Sequence, residues 1–138
     1  MKRLLFVFTF ISTSFMFSQE SNIEVPKIVI KLPINETLHL NIGSIKFMEV
    51  LEDSRCPKDI TCIWDGRAKV RIAIQENNKE SYQKKIIFGE LLEGETTNSV
   101  LFSTKNHLIY AIDLYPLPSS KVDQERGPFE LLVHIEKK

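Results

Sequence analysis

Hydrophobic and polar residues alternate along most of the chain after about residue 23. The period of two is clearest in four segments, at 37–42, 68–75, 107–114 and 129–136. Successive side chains of an extended strand point to opposite faces, so each segment predicts a strand with one face in a core and one in water. Shorter apolar runs at 27–32, 45–51, 82–88 and 100–103 bring the predicted number of strands to about eight.

The alternation also predicts which face of its strand each side chain occupies. In the third segment Leu108, Tyr110, Ile112 and Leu114 share one phase, and we expect them to face the core. His39 and His134 fall on the polar phase of their segments, so we expect both imidazoles to be solvated.

Turn signals separate the predicted strands at short intervals, and no window of 12 residues has a helical stripe of apolar positions. Asp65-Gly66 and Gly127-Pro128 are among the clearest of these signals. Many short strands with close turns favour an all-β fold, a single antiparallel β-sandwich or barrel-like domain of about 7–8 strands. The length of 138 residues fits one domain with a core of its own.

Residues 1–18 predict a secretory signal peptide. Lys2 and Arg3 precede an uncharged run from Leu4 to Phe17, which is shorter than the roughly 20 apolar residues of a membrane-spanning helix. We therefore expect a mature domain of residues 19–138, periplasmic or secreted, with no membrane span after cleavage. No cysteine precedes Cys56, so a lipoprotein anchor is not expected.

Charge narrows the classes of partner. The whole chain is neutral, but residues 19–138 carry 16 basic and 18 acidic side chains. A domain with this balance lacks the basic surface that a nucleic-acid-binding protein needs, so we expect no nucleic acid as partner.

The densest group of distinctive residues lies between residues 52 and 67, where both cysteines and the only tryptophan occur. In an exported chain, Cys56 and Cys62 are most simply a disulfide. Closing this loop would stabilise the fold by about 2–2.5 kcal/mol in the loop-entropy model. We expect Trp64 to form an apolar lid near the bridge, and Asp65-Gly66 to turn the chain into the next strand.

Three alternatives remain open for this stretch. The thiolates could bind a metal with Asp53, Asp59 or a histidine, although C-x5-C is wider than the usual ligand spacing. The pair could be redox-active, although catalytic dithiols usually have C-x-x-C spacing. The bracketed loop, which carries Lys58, could also be presented to a partner such as a protease.

The stretch from Arg55 to Gly66 has the pattern R-C-P-x4-C-x-W-x-G. It resembles a recurring motif of small, uncharacterised secreted bacterial proteins with no assigned activity. The later Tyr115-Pro116 step and the closing strand at 129–135 match the outline of that family. The resemblance implies a similar fold and export, and it supplies no catalytic residue.

Catalytic chemistry has little support in the sequence. Ser54 lies beside Asp53, but a serine nucleophile needs an aligned base, and no pattern of residues supplies one. His39 and His134 could bind a metal only if their strands were neighbours. We therefore expect no cofactor and no resident metal.

The sequence favours an exported, non-enzymatic binding or structural module, whose partner would be a protein or a cell-envelope ligand. Loops carry most binding residues of such folds, so we expect Arg55, Lys58, Asp59 and Trp64 to be the contacts. The alternative is a small secreted hydrolase or protease inhibitor that presents the Cys56–Cys62 loop.

Overall fold

A computed structural model of the chain describes residues 29–77, 79–121 and 127–138, so the predicted signal peptide lies outside the described residues. Within them there are eight strands and no helix, and hence no helix able to span a membrane. The strands are β1 (Val29–Pro33), β2 (Thr37–Leu40), β3 (Gly43–Asp53), β4 (Arg67–Glu76), β5 (Tyr82–Gly89), β6 (Val100–Ser103), β7 (His107–Tyr115) and β8 (Glu130–Lys137).

Two four-stranded antiparallel sheets confirm the predicted all-β, sandwich-like fold. Sheet A has the order β1-β8-β7-β6, and sheet B has the order β2-β3-β4-β5. The core lies between them, because the inward phase of each strand is apolar. Its largest fully buried side chains are Phe47, Ile45, Ile72, Ile74, Ile86, Leu114, Leu131, Val70 and Val133. Burying such a side chain contributes about 1.5–3 kcal/mol, which makes the core the main source of stability.

In β7 the predicted phase is wrong for Tyr110 and Ile112, but it is confirmed for Leu114, which is buried after the bulge. Ile109 and Ala111 face the core, whereas Tyr110 is half-buried and Ile112 is exposed. The pairing of β7 with β8 shifts register between Ala111 and Asp113, where a bulge adds one residue. Residues 108–112 are apolar in both phases, so alternation alone does not define which phase faces inward. A slip of one residue exchanges the two faces.

The solvated position predicted for His134 is also wrong. Its side chain is only 5% exposed and meets the ring of Tyr110 edge-on, with 5.1 Å between ring centroids. β8 pairs with both β1 and β7, so His134 lies inside sheet A between Val29 and Tyr110. Cross-strand neighbours on both sides therefore cover the imidazole. His39 is exposed, as predicted.

The connection from β5 to β6 covers the free edge of β5. The hydroxyl of Thr97 accepts from the N–H of Ile87 and lies equally close, at 3.1 Å, to its carbonyl oxygen. Lys84 is half-buried nearby, and its ammonium donates to the carbonyl of Val100 in β6 at 2.5 Å. Burial lowers the pKa of Lys84. These two contacts join the edge of β5 that is not paired with β4 to Thr97 and Val100.

The antiparallel strands place the connections of the sandwich at two ends. One end has the β2–β3, β4–β5 and β6–β7 turns. The other, which we call the disulfide end, has residues 54–66 between β3 and β4, residues 90–99 between β5 and β6, and the chain that follows β7. We call residues 54–66 the disulfide loop.

Candidate functional site

The disulfide loop prolongs the hairpin of β3 and β4 beyond the sheet. The N–H of Ser54 donates to the carbonyl of Arg67, and the N–H of Cys56 donates to that of Asp65, both at 2.8 Å. Beyond these bonds the Cys56–Cys62 disulfide closes the tip, as the sequence predicts. The tip is therefore a covalent ring carried on an ordered hairpin.

Gly66 allows the hairpin to close. Its φ of 70° lies in the left-handed region, and a β-carbon there would collide with the carbonyl of Ser54. β4 begins at Arg67, directly after Gly66. The chain bends at Ile63 and Trp64 rather than at the predicted Asp65-Gly66, where the carbonyl of Asp65 is instead bonded across the hairpin to Cys56.

Arg55 connects the disulfide loop to both sheets. Its Nε and Nη2 donate to the two carboxylate oxygens of Asp53, at 2.8 and 3.1 Å. Nη1 donates to Asp113 Oδ1 at 3.3 Å and to the carbonyl of Leu114, and Nη2 donates to the carbonyl of Pro116 at 3.1 Å. We call these groups the Arg55 cluster. All five guanidinium N–H groups are used inside the molecule.

The Arg55–Asp53 pair at the centre of the cluster is buried, Asp113 is 46% exposed, and the partners of Arg55 come from both sheets. The side chains of Arg55 and Asp53 are 9% and 6% exposed. Asp53 ends β3 in sheet B, whereas Leu114 belongs to β7 in sheet A. The cluster therefore attaches the base of the disulfide loop, which follows β3 of sheet B, to sheet A. Arg55 thus positions the loop.

Lys58 and Asp59 attach the tip of the loop to the chain after β7. The N–H of Lys58 donates to the carbonyl of Pro118 at 3.1 Å, while the Lys58 side chain is exposed. Asp59 accepts hydrogen bonds from the hydroxyl and the N–H of Ser120. These bonds, the hydroxyl bond first, lower the pKa of Asp59. The tip is therefore restrained by hydrogen bonds to the chain after β7 as well as by its disulfide.

The apolar side chains of the loop point into solvent. Trp64 is 70% exposed and Ile63 is 97% exposed, so Trp64 is not the lid over the bridge that the sequence suggests. Ile60, inside the disulfide-closed ring, is also exposed. Exposing the largest apolar side chains of an ordered loop to water costs free energy, and folding alone does not require this exposure.

Other apolar side chains extend this surface. Leu117 is exposed beside the attachment point of Lys58, and Leu91 and Leu92 are exposed in the β5–β6 connection. Of the ten large hydrophobic side chains exposed in the described ranges, six therefore lie in the three connections at the disulfide end. We call these six the apolar end: Ile60, Ile63, Trp64, Leu91, Leu92 and Leu117.

The structure divides the predicted contact residues into two groups. Trp64 and the Lys58 side chain are accessible, whereas the donors of Arg55 and the carboxylate of Asp59 bond within the molecule. Sequence reasoning missed the other five members of the apolar end. Their signal is the presence of large apolar residues inside predicted turns, as at Leu91-Leu92, just before Glu93-Gly94.

An ionic network anchors the β5–β6 connection to the outer face of sheet B. Arg67 bonds Glu52 at 2.8 Å and Glu95 at 2.5 Å, and Lys69 bonds the other oxygen of Glu95 at 2.5 Å. The N–H of Leu92 also donates to Glu95. The Lys69 bond first, then the Leu92 bond and the Arg67 charge, lower the pKa of Glu95 to about 2.

The metal alternatives conflict with the geometry. Cys56 and Cys62 bond each other, so neither is a free thiolate. His39 lies in β2 of sheet B and His134 in β8 of sheet A, so their strands are not neighbours. Across the described ranges no three His, Cys, Asp or Glu side chains form a group suited to a metal ion.

Ser54 has no histidine partner among its hydrogen bonds in the described chain. Its hydroxyl lies 3.2 Å from Glu52 Oε1 and 3.2 Å from the carbonyl of Arg67. A shallow cavity of about 290 Å³ lies at the opposite end of sheet B, with His39, Ser44 and Gln75 among its lining residues. It shares no residue with the disulfide loop.

Replacing Arg55 by alanine should lower the free energy of unfolding by about 3–5 kcal/mol, because the buried carboxylate of Asp53 loses its counter-charge. The Arg55→Ala/Asp53→Ala double variant should lose less than the sum of the two single variants. Arg71→Ala is the matched control, since Arg71 and Glu49 form a more exposed pair, and it should cost less than about 1 kcal/mol. Urea unfolding measures all four variants; equal losses for Arg55→Ala and Arg71→Ala would contradict a buried cluster.

Stability should fall as the pH decreases from about 4.5 to about 2. Folding lowers the pKa of Glu95, so its carboxylate form stabilises the fold above the ordinary pKa of 4.5, and this contribution is lost as the pH falls through about 2. Glu95→Gln should therefore reduce the loss of unfolding free energy across this window. Glu136→Gln, at an exposed position, is the control and should follow the wild type. Parallel pH curves for wild type and Glu95→Gln would rule out the effect.

Comparison of the chain with protein-family models, with curated proteins and with solved structures found no significant match. The resemblance carried by residues 55–66 therefore stays a prediction. The geometry of the disulfide end is the basis for any functional conclusion.

Proposed function

We propose that the chain is exported to the periplasm or the cell exterior, where it acts as a non-enzymatic binding module. The recognition surface in this proposal is the apolar end, with Trp64 and Ile63 at its centre. Arg55 and Asp59 hold that surface in place from within, while the Lys58 side chain lies at its margin.

One observation carries the proposal: the most exposed apolar side chains belong to one of the most restrained connections. Ile63 and Trp64 directly follow the disulfide-closed ring, between Cys62 and Asp65, whose carbonyl accepts a hydrogen bond from the N–H of Cys56. The ring itself is attached to the chain after β7 through Lys58 and Pro118. Flexible loops lose conformational freedom on binding, whereas a restrained loop has already lost it. Tryptophan is also the residue most enriched where single side chains dominate binding energy.

A binding role has more support than the hydrolase alternative. The hydroxyl of Ser54 is oriented by Glu52 and a backbone carbonyl rather than by an imidazole. A protease inhibitor is one form of the proposed module, because the exposed Lys58 lies in the disulfide-closed ring. The partner retained in the experiment below distinguishes that form from others.

Capture on the oxidised mature chain should depend on Ile63 and Trp64. The bait is tagged at the C-terminus and exposed to an envelope extract and culture medium of the producing cells. A partner retained by the wild type should be lost with Ile63→Ser/Trp64→Ser, and kept with Tyr82→Ser. Tyr82 is an aromatic residue, 45% exposed, at the other end of the sandwich, so it is the control. Retention unaffected by the double loop variant would refute the proposal.

Export has its own test. The intact mass of the protein recovered from cells or medium should correspond to residues 19–138 less two hydrogen atoms, because signal cleavage removes residues 1–18 and oxidation joins the cysteines. Adding reductant should restore the two hydrogens. A full-length chain with free thiols would contradict export to an oxidising compartment.

A further inference from the structure

We propose that the partner of the apolar end is a second copy of the same chain, docked end to end about a two-fold axis. This inference rests on the proposed function, and it names the partner of that surface. Its basis is the order in which the three connections lie across the disulfide end, together with the charges that each one carries.

The disulfide loop lies between the other two connections. On one side, the N–H of Lys58 bonds the carbonyl of Pro118, in the chain after β7. On the other side, the carbonyl of Gly66 accepts a bond from the N–H of Glu90, at the start of the β5–β6 connection. Ile63 and Trp64 lie between these attachment points in the sequence of the loop. The disulfide loop, which carries Ile63 and Trp64, therefore has one connection on each flank.

The two flanks carry opposite charge. Among the described residues, Lys58 and Lys121 are exposed on the flank of the chain after β7, where Asp59 bonds Ser120. Glu90 and Glu93 are exposed on the flank of the β5–β6 connection. None of these two lysines and two glutamates forms an ion pair with another described residue.

A two-fold axis that lies in the plane of contact, perpendicular to the line joining the two flanks, brings unlike flanks together. The apolar patch of one molecule then meets the same patch of the other, and each flank faces the opposite flank of its partner. The lysine flank would then face Glu90 and Glu93 of the partner, while the apolar centres cover each other. Opposite charges at the rim of an apolar contact favour the correct register and disfavour others.

The apolar end is less suited to binding an anionic membrane than to binding a second copy of the chain. Interfacial protein segments that bind anionic lipids combine apolar side chains with an excess of basic ones. Here Glu90, Glu93 and Asp65 are exposed around the same apolar side chains as Lys58 and Lys121. Carboxylates at this position repel an anionic surface, whereas they pair with lysines of a second copy.

The test is a charge-exchange experiment on the oxidised mature chain, followed by sedimentation equilibrium. The wild type should show a concentration-dependent monomer–dimer equilibrium. Lys58→Glu/Lys121→Glu and Glu90→Lys/Glu93→Lys should each weaken self-association at least about tenfold, because like charges then face each other. An equimolar mixture of the two variants should form a heterodimer, because unlike charges face each other again.

Two variants separate the apolar contribution from the charges. Trp64→Ser should raise the dimer Kd by about 30-fold or more, as expected of a central aromatic residue. Glu80→Lys/Lys105→Glu, at exposed positions of the opposite end, should leave the Kd unchanged. Circular dichroism and unfolding midpoints equal to those of the wild type show that the variants are folded.

Each result decides the inference. A wild type that stays monomeric up to about 1 mM, or a dimer insensitive to the loop and charge variants, overturns it. If such a monomer still captures another protein in a Trp64-dependent manner, the proposed function stands with a different partner. Trp64-dependent sedimentation of a monomer with phosphatidylcholine vesicles overturns both the second copy and a protein partner. Recovery of the untagged chain itself by the bait, together with the heterodimer, supports both proposals.

Discussion

The guanidinium of Arg55 is the interaction on which the disulfide end depends. Hydrophobic contact holds the two sheets together along the core, but it ends where the strands end. Beyond that point Arg55 joins the Asp53 carboxylate of sheet B to the backbone of sheet A. A buried ion pair loses hydration, and this one compensates because two backbone carbonyls and Asp113 satisfy the remaining N–H donors. The position of the core thereby sets the position of the loop.

Two further restraints act on the tip, and they differ in kind. The disulfide limits the shape of the ring without orienting it, whereas Lys58 and Asp59 orient the ring without closing it. Together with the Arg55 cluster they leave Ile63 and Trp64 in fixed positions in water. The β5–β6 connection is restrained by an ionic network, in which Glu95 bonds both Arg67 and Lys69. The surface that we propose for recognition is therefore restrained along each connection that forms it.

The strands are predictable from the sequence, whereas most of the site is not. Because each strand buries one face, segments such as 68–75 alternate between apolar and polar residues. The bulge in β7 is not predictable, because residues 108–112 are apolar in both phases. The burial of His134 is not predictable either, because the side chains that cover it belong to neighbouring strands. The disulfide follows from two cysteines in a predicted exported chain. Asp53 lies two residues from Arg55, but the other partners of Arg55 lie 58–61 residues away, in β7 and just after it, a separation that no local pattern spans.

Thr97 has a consequence for how the protein survives at high local concentration. A free sheet edge presents N–H and C=O groups that can recruit a strand from another molecule and begin a polymer. At Ile87 the Thr97 hydroxyl occupies both groups. Growth of fibrils by strand addition is therefore obstructed at this position of β5. A module that exposes apolar side chains at its end can in this way avoid indiscriminate stacking through its side.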